Sequence, residues 1–262
     1  MEYIVISVVA LVVAALTLFS GFGLGTLLMP VLAIFFPVEI AVAATAIVHL
    51  ANNIFKGLLM GKHADIKVLL RFALPAVIAA FPGALLLTLL SRLGTWGEWS
   101  AGTRIFEILP ANIIIAILMV IFAVIELLPH FEKMTIDKKW LPIGGALSGF
   151  FGGISGHQGA LRSAFLSKSG LTREAFIGTS VMTAILVDIS RLLVYGFTFI
   201  GTKTDIFAEP KMGGILICGI LAAFTGSFIG TRLVKKVTMR HIQIIVGIML
   251  LLLALALGSG II

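Results

Sequence analysis

Two stretches decide the fold of this chain: GFGLGTLLMPVLAIF, residues 21–35, and LSGFFGGISGHQGALRSAFL, residues 147–166. The first lies in a run, residues 3–38, that carries no charge and is too long for one membrane crossing of about 20 residues but too short for two with a turn. Because glycine permits sharp turns and close backbone approach, we expect each stretch to form a helical hairpin that enters the bilayer and returns without crossing it. The alternative is that the glycines are packing positions between crossing helices.

The composition indicates a protein that is embedded in lipid. Of 262 residues, 60% are hydrophobic and only 12% are charged, against roughly 25% charged in ordinary soluble domains. So much apolar surface cannot be buried inside one globule of this size, which excludes a soluble enzyme, a nucleic-acid-binding protein and a disordered chain. The net charge of +7 fits the retention of Lys and Arg on the cytoplasmic side of a membrane, and the lipid bilayer is the predicted partner.

Six further apolar runs have the length, or nearly the length, of a transmembrane helix. They are residues 39–60, 72–90, 108–125, 172–200, 212–231 and 242–262. Backbone groups in hydrocarbon must be satisfied within the protein, and the alternation of a barrel strand is absent, so these runs are predicted helices. The predicted fold class is an all-α polytopic membrane protein.

An internal repeat relates the two halves. Five residues recur 134 positions later, namely Gly25, Leu27, Leu32, Ala41 and Thr45, which match Gly159, Leu161, Leu166, Ala175 and Thr179. The string AAFPG at 79–83 is also matched by AAFTG at 222–226. Each half therefore consists of a glycine-broken hairpin followed by three helices.

This repeat predicts the domain organisation. We expect a single transmembrane domain over residues 1–262, with repeat 1 at about 1–130 and repeat 2 at about 140–262, divided in the charged loop 133–139. Because a non-crossing hairpin leaves three crossings in each half, the second repeat must be inverted relative to the first. Inverted repeats with broken helices that meet near the midplane are a recurring plan of secondary transporters.

The basic residues favour this arrangement. With two non-crossing hairpins, the loop Lys and Arg residues divide twelve to four between the two sides of the membrane, whereas two plain double crossings divide them eight to eight. The minority of four consists of Arg92, Arg104, Lys203 and Lys211. The positive-inside rule prefers the unequal division, which places both termini outside the cytoplasm.

The run 39–60 carries a polar stripe. His49, Asn52, Asn53 and Lys56 fall at i, i+3, i+4 and i+7, on one face of a helix. Two amides, an imidazole and an ammonium supply hydrogen-bond donors and little negative charge, which suits an oxyanion. The alternative is hydrogen bonding between helices, with Lys56 extending to the membrane interface.

The second half supplies the remaining candidates. Asp188 and Arg191, spaced i, i+3, either form a structural ion pair or take part in transport. If the return helix of the second hairpin begins near Gly159, its backbone N–H groups form an anion-binding terminus, and Gly23 and Gly25 offer the same from the other half. The predicted substrate-binding residues are Gly23, Gly25, His49, Asn52, Asn53, Gly156, His157, Gln158, Gly159, Arg162, Thr183 and Arg191. The candidates for proton coupling are His49, His157 and Asp188.

The sequence contains no motif of an enzyme or a metal site: no HExxH, no paired cysteines and no Walker A. We therefore predict no enzymatic activity, no metal and no cofactor, and transport driven by an ion or substrate gradient.

The two glycine-rich strings resemble the paired motifs of the sulfite exporter TauE/SafE family of membrane permeases, although the first departs from the usual triple-glycine form, with Thr26 and Leu27 following Gly25. The resemblance implies a transporter of the bacterial-type inner membrane that moves small sulfur-containing or organic anions such as sulfite or sulfoacetate, usually outward.

Two other functions stay open. An anion channel needs a continuous wet path, whereas glycine-broken hairpins favour an occluded site. A membrane enzyme or assembly factor with a lipid-soluble substrate is the second rival. Homo-oligomerisation is also left open.

Overall fold

A computed structural model describes residues 1–17, 23–128, 137–199, 209–233 and 239–262. These residues form ten α-helices and one two-stranded antiparallel sheet, so the predicted all-α polytopic fold is confirmed. The helices are α1 (Glu2–Thr17), α2 (Leu24–Ala33), α3 (Val38–Met60), α4 (Ile66–Ser91), α5 (Pro110–Leu127), α6 (Leu141–Ser155), α7 (Gly159–Leu166), α8 (Arg173–Phe199), α9 (Met212–Leu233) and α10 (Met239–Gly258). The strands β1 (Gly97–Ala101) and β2 (Arg104–Ile108) connect α4 to α5.

Five of these helices are long and apolar enough to cross a membrane: α3, α4, α5, α8 and α9. They coincide with five of the six predicted runs. The sixth, α10, has a shorter apolar part among its described residues, Gln243–Gly258. Many large hydrophobic side chains on these helices are exposed, as lipid contact requires.

The glycine-rich stretches break the chain into short helices. At 16, 10, 15 and 8 residues, α1, α2, α6 and α7 are each shorter than the roughly 20 residues of a crossing. Gly156, which ends α6, has φ +79°, and Gly23, which precedes α2, has φ +124°, conformations that only glycine adopts readily. Gly21 lies outside the described residues.

The second hairpin begins and ends at the same end of the bundle. A Cβ placed on Gly170, after α7, would lie 3.8 Å from Nζ of Lys138, before α6. This proximity supports a hairpin that does not cross the membrane.

Other glycines of the same stretch serve as packing positions between helices, which was the alternative interpretation of the glycine clusters. Gly149 and Gly153, one turn apart on α6, lie so close to α4 that a Cβ would collide with the backbone carbonyls of Ala76 and Ala80. Both interpretations therefore hold, each for different glycines: Gly156 forms the turn, whereas Gly149 and Gly153 let two helix backbones touch.

The matched strings AAFPG and AAFTG occupy corresponding positions. Gly83 of the first, on α4, lies against the carbonyl of Phe150 on α6, and Gly226 of the second, on α9, lies against the carbonyl of Leu11 on α1. Each half thus packs its AAF(P/T)G helix closely on the first arm of the other half's hairpin. This exchange explains why each string ends in glycine.

Corresponding helices of the two halves are antiparallel. The beginning of α8, at Gly178, approaches the end of α3, at Met60. Arg240 at the start of α10 donates to the carbonyls of Glu126 (3.2 Å) and Leu127 (2.7 Å) at the end of α5, where it caps the last free carbonyls of that helix. Opposite directions are what inverted repeats require. The proposed boundary loop, apart from residues 137–139, lies outside the described residues.

Side-chain contacts also place the chain termini at one end of the bundle. Tyr3 OH donates to the carbonyl of Lys211 (3.3 Å), and Trp99 Nε1 on β1 donates to the carbonyl of Ser259 (2.7 Å). Three of the four basic residues predicted on the non-cytoplasmic side, Arg92, Arg104 and Lys211, belong to segments at this end. Lys203 lies outside the described residues, and the orientation in the membrane stays a prediction.

Candidate functional site

Asp188, on α8, is the centre of a buried network. Its carboxylate has no exposed surface and accepts from Arg191 Nε (3.0 Å) and Nη2 (2.8 Å), one turn further along the same helix. Its other oxygen lies 2.6 Å from Nδ1 of His49 on α3. The predicted ion pair between Asp188 and Arg191 therefore exists, and it extends to the other half of the chain.

The tip of the second hairpin joins the same network. Gln158 Nε2 donates to Asp188 Oδ1 (2.9 Å), and Arg162 Nη1 donates to Gln158 Oε1 (3.0 Å). We call the five residues His49, Gln158, Arg162, Asp188 and Arg191 the Asp188 cluster. All five are at least nine-tenths buried, so a carboxylate and its donors are held away from lipid and water.

Arg191 and Tyr195 also hold the end of α6. Arg191 Nη1 donates to the carbonyl of Gly152 (3.3 Å), and Tyr195 OH donates to the carbonyl of Gly153. The carbonyl of Gly152 also accepts from the backbone N–H of Gly156 (2.9 Å), so Arg191 adds a second bond there, while Tyr195 satisfies a carbonyl in the last turn of the helix. Tyr195 was not among the predicted residues, although its position one turn after Arg191 places it on the same face of α8.

The two hairpins meet beside this cluster. A Cβ on Gly25, in the first turn of α2, would lie 3.3 Å from the carbonyl oxygen of Gly156 and 3.6 Å from Cδ2 of His49. A glycine at position 25 thus lets the start of α2 approach the turn of the second hairpin. The start of α7, at Gly159, follows that turn directly.

Two pairs of broken helices around a buried polar centre are typical of membrane transporters, and a comparison with known families agrees. The family model described as "Sulfite exporter TauE/SafE" matches residues 6–257. The chain belongs to this family. A comparison with curated proteins finds no significant match. TauE/SafE proteins are permeases, so the chain is a multi-pass membrane transport protein, and the family resemblance stated from the two motifs is confirmed.

In this TauE/SafE chain the polar stripe of α3 divides between two neighbours. Asn53 Nδ2 donates to the carbonyl of His49 (2.9 Å) and also lies 3.1 Å from its Nδ1, on the side of the Asp188 cluster. Asn52 faces α9 instead. With its amide oriented to satisfy both atoms, Asn52 donates to Ser227 Oγ (2.8 Å) and accepts from Lys56 Nζ (3.3 Å). Lys56 is buried, and the bond of Asn52 to Ser227 is an interhelical hydrogen bond of the kind that the alternative interpretation gives.

His157 lies in the hairpin turn but makes different contacts. Its Nδ1 is 3.0 Å from both the carbonyl and the hydroxyl of Ser155, and its ring stacks on Phe122 of α5 with a centroid distance of 5.7 Å. The residue is 1% exposed, and its Nε2 has no hydrogen-bond partner. This nitrogen is available to a ligand or a water molecule. Thr183, by contrast, donates to the carbonyl of Thr179 on its own helix (2.8 Å).

Buried positive charge exceeds buried negative charge around the cluster. Lys56, Arg162 and Arg191 are buried cations. Asp188 contacts Arg191 directly and Arg162 through Gln158, whereas Lys56 contacts Asn52. A buried excess of cations favours an anionic guest. Within the described segments, no group of three or more His, Cys, Asp or Glu side chains is arranged to hold a metal ion.

Proposed function

We propose that this TauE/SafE protein is a secondary transporter that exports a small sulfur-containing or organic oxyanion, such as sulfite or sulfoacetate, through a site between the tips of its two hairpins. The single observation that carries the proposal is the Asp188 cluster, where buried donors from α3, α7, α8 and a hairpin turn converge beside the contact of Gly25 with Gly156. Buried cationic and amide donors are the groups that bind oxyanions strongly.

The binding groups would come from both halves. The starts of α2 and α7, near Gly23, Gly25 and Gly159, supply backbone N–H groups with the positive end of a helix dipole. The side chains that we propose to contact the anion are His49, Asn52, Asn53, His157, Gln158, Arg162, Thr183 and Arg191. His49, His157 and Asp188 are the groups proposed to bind coupling protons, because they are ionisable at membrane depth.

The proposed scaffold is one domain of two inverted repeats, at about 1–130 and about 140–262, with both termini outside the cytoplasm. The antiparallel directions of α3 and α8, and of α5 and α10, support the inversion. With two broken hairpins that face each other, small tilts of one half against the other would open the site to either side in turn.

A thermal-shift panel tests the proposal. Purified protein is melted with sulfite, sulfate, thiosulfate, sulfoacetate or taurine, the last being a zwitterion without net negative charge. We expect at least one of the anions, and not taurine, to raise the melting temperature through mass action. His49→Ala and His157→Ala should each reduce that rise, whereas His63→Ala, at an exposed histidine just beyond α3, should leave it unchanged.

Two outcomes count against the proposal. If every anion leaves the melting temperature unchanged, the oxyanion site is wrong. If purified protein in planar bilayers gives single-channel currents with the same anions, the chain is a channel and not a transporter.

A further inference from the structure

Asp188 is bound in the way that a small oxyanion would be bound. Its Oδ1 accepts three hydrogen bonds, from Arg191 Nε and Nη2 and from Gln158 Nε2, at 2.8–3.0 Å, and its Oδ2 lies 2.6 Å from His49 Nδ1. A carboxylate and a sulfur oxyanion both offer acceptor-only oxygens to such donors. The carboxylate therefore holds the groups that a transported anion would need.

The charged groups that face Asp188 come from several elements. Arg191 contacts it from α8, His49 faces it from α3, and Arg162 on α7 reaches it through Gln158. Tyr195, which is neutral near physiological pH, lies on the same face of α8.

The remaining neighbours add little charge. Where α6 meets Arg191 and Tyr195 it presents only backbone carbonyls. The α4 helix, which also packs on α8, keeps Lys67 and Arg71 exposed. Lys56 on α3 lies two turns beyond His49 and adds positive charge. Asp188 is thus the carboxylate that lies among these cations, and it offsets part of their charge.

A second negative charge cannot enter such a site without a cost. Two buried anions that share one set of donors repel each other, and one of them is then driven to take up a proton. If Asp188 takes up that proton, its donors become available, and for a monovalent anion the net charge of the site stays the same.

We propose that Asp188 is a built-in counter-ion, which a transported anion replaces only after Asp188 has bound one proton. This inference rests on the proposed function and adds its stoichiometry. The proton comes from water, is held on the Asp188 carboxyl while the anion occupies the donors, and returns to water when the anion leaves and Asp188 reclaims them. One proton therefore accompanies each anion, and transport of a monovalent anion is electroneutral.

The test measures anion affinity of the purified full chain across a pH series, with sulfate and methanesulfonate as probes because their charges do not change near neutral pH. For the wild-type protein we expect the affinity to fall about tenfold per pH unit on the alkaline side, as one-proton linkage demands. Asp188→Asn keeps the shape without the charge, so its affinity should lose the tenfold-per-unit dependence that Asp188 contributes and be higher than wild type at alkaline pH. Glu39→Gln makes the same change at another buried carboxyl and should keep the wild-type slope.

Each outcome decides a different point. A wild-type affinity that does not change with pH, or an Asp188→Asn variant that keeps the slope, overturns the counter-ion role and leaves the oxyanion site standing. Failure of both probes to bind any variant at any pH overturns the proposed function itself. Should Asp188→Asn not fold, an indicator dye in weakly buffered wild-type protein still gives the answer: one proton taken up per anion is expected, and none taken up contradicts the proposal.

Discussion

The two hairpins of this molecule share a backbone design and differ in chemistry. The first, α1 with α2, carries one charged side chain, Glu2, at its beginning. Its described tip contains Gly23 and Gly25. The second, α6 with α7, presents His157, Gln158 and Arg162. The glycine contacts at Gly83 and Gly226 are alike in the two halves, whereas of the two hairpins the second, and not the first, supplies a charged group to the site.

The largest effect should come from removing the charge that the second half provides. Arg191→Ala leaves the Asp188 carboxylate buried without its guanidinium partner, and breaking a buried ion pair from one side costs about 3–5 kcal/mol of unfolding free energy. Thermal or denaturant unfolding in detergent measures it. Arg71→Ala, at an exposed arginine on α4, is the control and should change little. Equal stability of the two variants would show that Asp188 is not ionised beside Arg191.

An intermediate effect should test the symmetry of the scaffold. Gly83→Ala and Gly226→Ala each place a Cβ against a backbone carbonyl of the opposite hairpin, which cannot move as a flexible side chain can. Overpacking of this kind costs about 1–3 kcal/mol, and because the two contacts correspond, the two variants should lose similar stability in the same unfolding assay.

The control for this pair is Gly196→Ala on α8, where a Cβ meets nothing within 4 Å. That change should stabilise the helix slightly, since alanine is the better helix former. If Gly83→Ala or Gly226→Ala behaves like Gly196→Ala, the two helix contacts, α4 on α6 and α9 on α1, are not equivalent.

Much of this scaffold could be predicted from sequence because its signals are local. The lengths of the apolar runs predicted the long helices, and the glycine clusters predicted the breaks at Gly23 and Gly156. The strand pair β1–β2 was not predicted, because it lies in a polar connection and the length of apolar runs says nothing about such a segment. Its turn nevertheless has a marker in Gly102, with φ +63°.

The connections within the site could be predicted less well. The sequence indicated that His49, Gln158 and Asp188 are polar residues at membrane depth, but their convergence joins positions 139 and 30 residues apart. Helical periodicity assigns residues to a face and says nothing about which face of another helix it meets. For the same reason the sequence placed the stripe of α3 on one face without showing that Asn52 bonds Ser227 on α9 and Lys56 bonds Asn52.

The smallest change in stability should accompany a specific loss of binding at the tip of the first hairpin. In Gly25→Ala the new Cβ would lie 3.3 Å from the Gly156 carbonyl oxygen, so the start of α2 must shift by a few tenths of an ångström. We expect unfolding free energy to change by less than about 1 kcal/mol. Loss of about one hydrogen bond to the anion, about 1–1.5 kcal/mol, should lower its affinity roughly tenfold in the thermal-shift panel.

Gly61→Ala is the matched control, because its Cβ would be about as tight, at 3.2 Å from Met182 Sδ, but it follows the end of α3, away from the tips, and meets a flexible side chain. It should keep wild-type affinity. If Gly25→Ala also keeps it, the first hairpin contributes no backbone donor, and the anion is bound by the second hairpin, α3 and α8. The two hairpins would then differ in function as well as in charge, because only the second would contribute donors to the bound substrate.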